Sequence, residues 1–222
     1  MSTFENYNIS IIKNGEGYRN VPYQDTANPT KEYLEKEIKI LEVAEGFRDR
    51  PYLDTRGILT WGIGRNIQDY PLTGPERQYI VSTLGTGSAK DQWTTEQTCE
   101  ILSKLNMSQA KNVAFYLVRQ VLNELDSRWH AQTGWFAEVE NARKSAWLDL
   151  SYNCGLSAVM GWRESLKLME DEQYEELADR LLGFPWAKQV HADKPSPTNP
   201  TGGRAYYITE LIRTGEYADW MR

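Results

Sequence analysis

The chain has 222 residues, a formal net charge of −6 and 25% charged residues. That length can bury one or two cores without help from metals or disulfides, and the acidic balance argues against general nucleic-acid binding. Cys99 and Cys154 lie far apart outside any C-x-x-C pattern and read as a reduced pair; the opening M-S-T-F-E-N-Y-N lacks the basic and apolar segments of a signal peptide, and no later run approaches a membrane span.

In chain order, the first feature is an internal repeat. E-G-Y-R-N-V-P-Y-Q-D-T at 16–26 matches E-G-F-R-D-R-P-Y-L-D-T at 45–55 at seven of eleven positions, with Glu16 and Asp25 as counterparts of Glu45 and Asp54. The first copy runs into a proline turn and a charged helix start, so residues 1–36 read as an N-terminal extension, either an appended structural element or a cover for a site. Ile38, Leu41 and Ala44 then follow a helical repeat that carries Glu45 in its last turn and stops at Gly46. Residues 52–54, a turn over 54–57, and 58–64 predict a hairpin, with Ile58, Thr60 and Gly62 on one face and Leu59, Trp61 and Ile63 on the other.

Residues 74–84 read as a short helix and 85–88 as a loop. T-T-E-Q at 94–97 predicts a reciprocally capped helix start leading to Ile101, Leu102 and Leu105, and Val113, Leu117, Val121, Leu122 and Leu125 continue a helical pattern. Helices are expected at 138–152, 157–169 and 171–182, with the acidic run at 170–176 as a solvated face. The segment 192–203, with three prolines and two glycines, is a loop.

Glu45, Asp54 and Thr60 are the residues with chemistry to offer. Cleaving a glycosidic bond takes a carboxylic acid to protonate the leaving oxygen and a carboxylate to stabilise positive charge or direct water. Glu45, on a helix end partly shielded by apolar neighbours, suits the acid, because desolvation favours the protonated form; Asp54, in a polar turn, suits the ionised partner. Thr60 can hold a water without adding charge, and Gly62 and Gly64 would let a substrate approach the backbone. A helix-end acid, a turn aspartate and a strand threonine are each commonplace, so the residues alone leave a purely structural reading open. With two histidines and no H-E-x-x-H or G-x-S-x-G, zinc peptidase, amidase and serine-hydrolase readings find little support.

The stretch resembles the phage-type lysozymes of glycoside hydrolase family 24, typified by those of T-even coliphages. The family's Glu, nine residues to Asp, six more to Thr, then Gly-x-Gly, is matched by Glu45, Asp54, Thr60, Gly62 and Gly64. One departure is Arg65, where the family usually has histidine, which is expected to alter a structural ion pair. The resemblance continues through 143–166, Trp186, Gln189 and 204–217, about three quarters of the chain. It implies that Glu45 is the general acid, Asp54 the second carboxylate and Thr60 the water-holding hydroxyl. It further implies that Tyr152, Ser165, Asn66 and Arg180 line the sugar cleft, the last two departing in residue type, and that Arg204 pairs with Glu45 and tunes its acidity.

The expectation is therefore an α+β, mostly α, two-lobed lysozyme fold. Residues 37–222 would form the lysozyme domain, with a small β-hairpin lobe over about 45–92 and a helical lobe over about 93–222. The resemblance implies hydrolysis of the β-1,4 bond between N-acetylmuramic acid and N-acetylglucosamine in bacterial peptidoglycan, with inversion and no metal or organic cofactor. No nucleic-acid partner or stable membrane insertion is expected; synthesis in the host cytoplasm would require a holin-type pore or delivery with a virion. Loop 192–203, longer than usual for the family, is either length variation or a contact element. Two rivals remain at this point: a lytic transglycosylase, and a non-catalytic wall-binding or virion assembly module.

Overall fold

Tyr33, Leu34, Glu37, Ile38 and Leu41 recur at helical spacing, and all five are buried along one side of the first helix. The computed structural model describes residues 32–89 and 91–222. Its order is α1 (Glu32–Glu45), β1 (Arg48–Leu53), β2 (Leu59–Gly62), β3 (Arg65–Asn66), α2 (Gly74–Leu84), α3 (Thr95–Leu102), α4 (Met107–Gln132), α5 (Asn141–Cys154), α6 (Leu156–Met160), α7 (Arg163–Glu170), α8 (Tyr174–Leu182), α9 (Pro185–Gln189) and α10 (Arg204–Thr214). The fold is α+β, mostly helical, with one small antiparallel sheet ordered β1-β2-β3. Residues 32–36, read from sequence as the end of an extension, lie inside α1, where Tyr33 and Leu34 are buried; the repeat at 16–26 falls outside the described residues.

The hairpin forms as its sequence predicts. Asp54 and Ile58 close the turn through an amide-to-carbonyl bond of 2.9 Å, and Gly57 takes the left-handed conformation there at φ 78°. Between the pairs Arg48 with Gly62 and Tyr52 with Thr60 the register slips, at a point that includes Pro51, which has no amide to donate. The Gly-x-Gly segment turns the chain into β3, a third strand absent from the sequence reading, where Asn66 lies opposite Thr60. Both faces of β2 are covered, so alternation there does not separate core from solvent.

Helix α4, 26 residues and about 39 Å long, packs against α2, β1 and β2 and also against α1 and α5, joining the sheet-bearing lobe to the helical one. It begins at an Asn106/Gln109 capping box, as α3 does at Thr94/Gln97 and α2 at Thr73/Glu76. Helix α5 is buried along most of its length and contacts α1, α4, α6 and α10. The helix expected over 157–169 is two helices: Gly161 and Trp162 make tight i→i−3 bonds to Ala158 and Val159 at 3.0 Å, ending α6 before α7 starts. The 138–152 and 171–182 segments start later than expected, at Asn141 and Tyr174. Nor is the acidic run only a solvated face, because Glu175 and, further along α8, Asp179 hold Arg213 of α10 at 2.6 and 2.9 Å.

Candidate active site

Glu45 ends α1 because Gly46 follows it with φ 70°, a conformation that costs a side-chain-bearing residue energy. Its carboxyl rests against Gly64: a methyl group at position 64 would sit 2.9 Å from Oε2 and 3.0 Å from Cδ and Cγ. At Gly62 a methyl group would meet the Ala114 Cβ of α4 at 3.0 Å. The two glycines, read from sequence as room for substrate, thus admit Glu45 and α4 instead. Arg204 Nη1 donates to Glu45 Oε1, joining the first described helix to the last.

Arg204 is itself buried, at 8% exposure, and its Nε donates to Asp149 Oδ1 at 2.8 Å. A cation at a helix N-terminus opposes the helix dipole, so these two carboxylates compensate it. Burial alone would lower its pKa, but Asp149 and Glu45 more than offset this and keep the guanidinium charged. Its position is set by the chain just before it. Arg204 and Ala205 donate their amides to Val190 and His191 at 3.1 and 2.9 Å, and a side chain at Gly203 would collide with the His191 carbonyl at 2.4 Å. The long loop 192–203 is therefore pinned at its base, whatever its length.

Asp54 Oδ1 accepts the amides of Arg56 and Ile58, each at 2.8 Å, with the Arg56 side chain 3.8 Å away. These donors, the Ile58 amide foremost, hold its carboxyl below the usual carboxylate range. Thr60 is 4% exposed and gives its hydroxyl proton to the Ile58 carbonyl at 3.0 Å, so toward a water it can only accept. Tyr52, between these acids in sequence, is a residue the sequence reading missed: burial raises its pKa, Arg48 opposes, and Glu45 and Asp54 both add to the rise.

The remaining predicted residues divide. Tyr152 donates its hydroxyl to the Ile63 carbonyl at 2.6 Å and so braces the Gly-x-Gly turn. Asn66 spends its side chain on its own turn, accepting from Gln68 and Asp69 at 3.0 and 2.9 Å and donating to Asp69. Arg180 pairs with Glu164 and lies over the Phe184 ring. Ser165 does not line a surface: it is 1% exposed in the first turn of α7, its hydroxyl without a partner among the described residues. Arg65 pairs with buried Glu76 at 3.5 Å, a structural role. Asp149 and Glu37 are the other groups the sequence reading missed. Each is an acid set in an apolar helical stripe, which is the signal that could have found them.

Cys99 and Cys154 are free, and burial pushes the Cys154 thiol up to about 11, away from reactive thiolate chemistry. A groove of about 370 Å³ lined by Pro195, Tyr206, Tyr207, Glu210 and Trp220 contains none of Glu45, Asp54 and Thr60.

A helix-end glutamate bound to a buried arginine and an aspartate held ionised on the adjacent turn are two carboxyls in contrasting surroundings, the kind of pair that two-carboxylate hydrolysis calls for. The phage lysozyme family model matches residues 42–194, more than half of the chain, and the chain belongs to that family. It is thus a lysozyme-type peptidoglycan hydrolase. No curated protein sequence matches it. The family match ends before Arg204 and begins after Glu37.

Proposed function

We propose that the protein is an endolysin of the muramidase type, hydrolysing the β-1,4 bond between N-acetylmuramic acid and N-acetylglucosamine to lyse a bacterial host from its wall. The observation that carries this is the contrast between the two carboxyls. Asp54 is held ionised by backbone amides, whereas Glu45 lies against Gly64 and shares Arg204 with a second carboxylate. Glu45 gives its proton to the leaving glycosidic oxygen. Asp54 stabilises positive charge at the anomeric carbon and directs a water that Thr60 accepts from, so that attack on the opposite face inverts the centre. Tyr152 acts through the Gly-x-Gly turn that it braces. Release through a holin-type pore or delivery with a virion would bring it to the wall; no described helix is long and apolar enough to cross a membrane.

The test is mass spectrometry of muropeptides released from purified peptidoglycan by the parent and by Glu45→Gln. Reducing-end muramic acid products that disappear in the variant are expected. Anhydro products would move the assignment to a transglycosylase, and no release by the folded parent would make it a binding or assembly module.

A further inference from the structure

Glu37 is fully buried on α1, eight residues before Glu45, and both of its carboxyl oxygens lack a hydrogen-bond donor among the described residues. Ser145 faces it but is engaged with the Tyr33 carbonyl and with the Tyr217 hydroxyl at 2.8 Å. Asp149, also fully buried, has better company: Arg204 Nε at 2.8 Å and the Tyr207 hydroxyl at 3.4 Å. Two adjacent buried carboxyls cannot both ionise beside a single cation that is already shared with Glu45. A proton on Glu37 removes the conflict, because the acid O–H supplies the donor the pair lacks.

We propose that Asp149 is the counter-ion of Arg204 and a positioning residue for Glu45, taking up guanidinium charge that would otherwise act on Glu45 alone. This rests on the reading of Glu45 as the acid. With Glu37 neutral, Asp149 and Arg204 cancel, so Arg204 orients Glu45 by hydrogen bond while exerting little net charge on it. Burial raises the pKa of both Glu37 and Asp149; the direct Arg204 bond opposes this at Asp149, so the proton resides on Glu37. The other ionisable groups facing this cluster are Tyr52 from β1, Arg65 from β3, Tyr152 and Cys154 from α5, and Tyr207 from α10, with Tyr217 beside Glu37. Of these only Arg65 is charged near neutral pH, and it has its own partner in Glu76.

The experiment follows carboxyl carbons by NMR against pH in full-length parent and Asp149→Asn. The midpoint of Glu45 is expected to fall by about one pH unit in the variant, since Arg204 then faces it unopposed. The alkaline limb of kcat should move acidward with it, KM unchanged, a pattern that loss of packing would not give. A folded Asp149→Asn with an unmoved Glu45 midpoint overturns the proposal. In the parent, Glu37 should remain neutral at about pH 6; a Glu37 carboxylate there overturns it as well, and this reading stands even if the variant does not fold. A shifted midpoint in a protein that releases no muropeptides would reject the hydrolytic reading and keep the charge assignment.

Discussion

Gly64→Ala separates what the site needs from what the fold needs. The substitution forces an L-residue into φ 66°, a left-handed conformation that costs about 1–2 kcal/mol. For a chain of this size that is a fall in Tm of about 2–8 °C. The added methyl group also meets the Glu45 carboxyl at 2.9–3.0 Å, and the carboxyl must give way because Gly64 is fixed on the turn braced by Tyr152. The carboxyl moves by a few tenths of an ångström to clear the methyl group, and since about 1 Å of misplacement costs on the order of a hundredfold in rate, this smaller shift should cost about tenfold. Gly85→Ala is the matched control, with φ 72° at the end of α2 and nothing within 4 Å of the new methyl group. Calorimetry should give the two variants similar losses of Tm, while initial rates on purified peptidoglycan fall about tenfold in Gly64→Ala and stay near the parent's in Gly85→Ala. Equal rates in the two variants would refute the argument that Gly64 exists to admit Glu45.

Ser165→Ala removes a buried hydroxyl without a partner among the described residues, and urea unfolding should give unchanged or slightly raised stability with activity kept; lost activity would return Ser165 to the substrate site. Arg204→Met leaves Asp149 and Glu45 without their cation, and denaturant titration should register a loss of about 3–5 kcal/mol together with lost hydrolysis. Asp54 has a depressed folded pKa, so its contribution to stability is complete above its unfolded value of about 3.9 and is lost as pH falls through the lower folded value. Asp54→Asn should therefore flatten the dependence of Tm on pH below about 4, as followed by circular dichroism. Tyr152→Phe deletes the bond to Ile63 and should cost about 1 kcal/mol in urea unfolding and slow turnover by loosening the turn.

The hairpin, its turn and the helix ending at Glu45 were legible because local chemistry decides them: an Asp-x-x-Gly turn, a glycine stop and short-range periodicity. The Arg204 pairing with Glu45 came from family resemblance alone, since 159 residues separate the partners and no local pattern joins them. The role of Gly64 was misread for the same reason, because what a glycine makes room for depends on which distant group approaches it. The burial of Ser165 was not legible because a serine's type says nothing about its exposure once α7 turns it inward. The break at Gly161 and Trp162 escaped notice since both sides of it continue a helical pattern. Asp149 and Glu37 could have been flagged as acids in apolar stripes, but only the fold reveals that the two meet.

The pairing of Glu45 with Arg204 also orders events during synthesis. A ribosome adding about 5–20 residues per second takes on the order of ten seconds to travel from the first of these residues to the second. Throughout that interval the nascent chain holds both carboxyls and the complete hairpin but not the cation that orients one of them. A chain released before residue 204 carries Glu45 and Asp54 without the arginine that Glu45 pairs with. The contact between Glu45 and Arg204 thus forms only once α10 has been made, and it closes the chain's first described helix on its last late in synthesis.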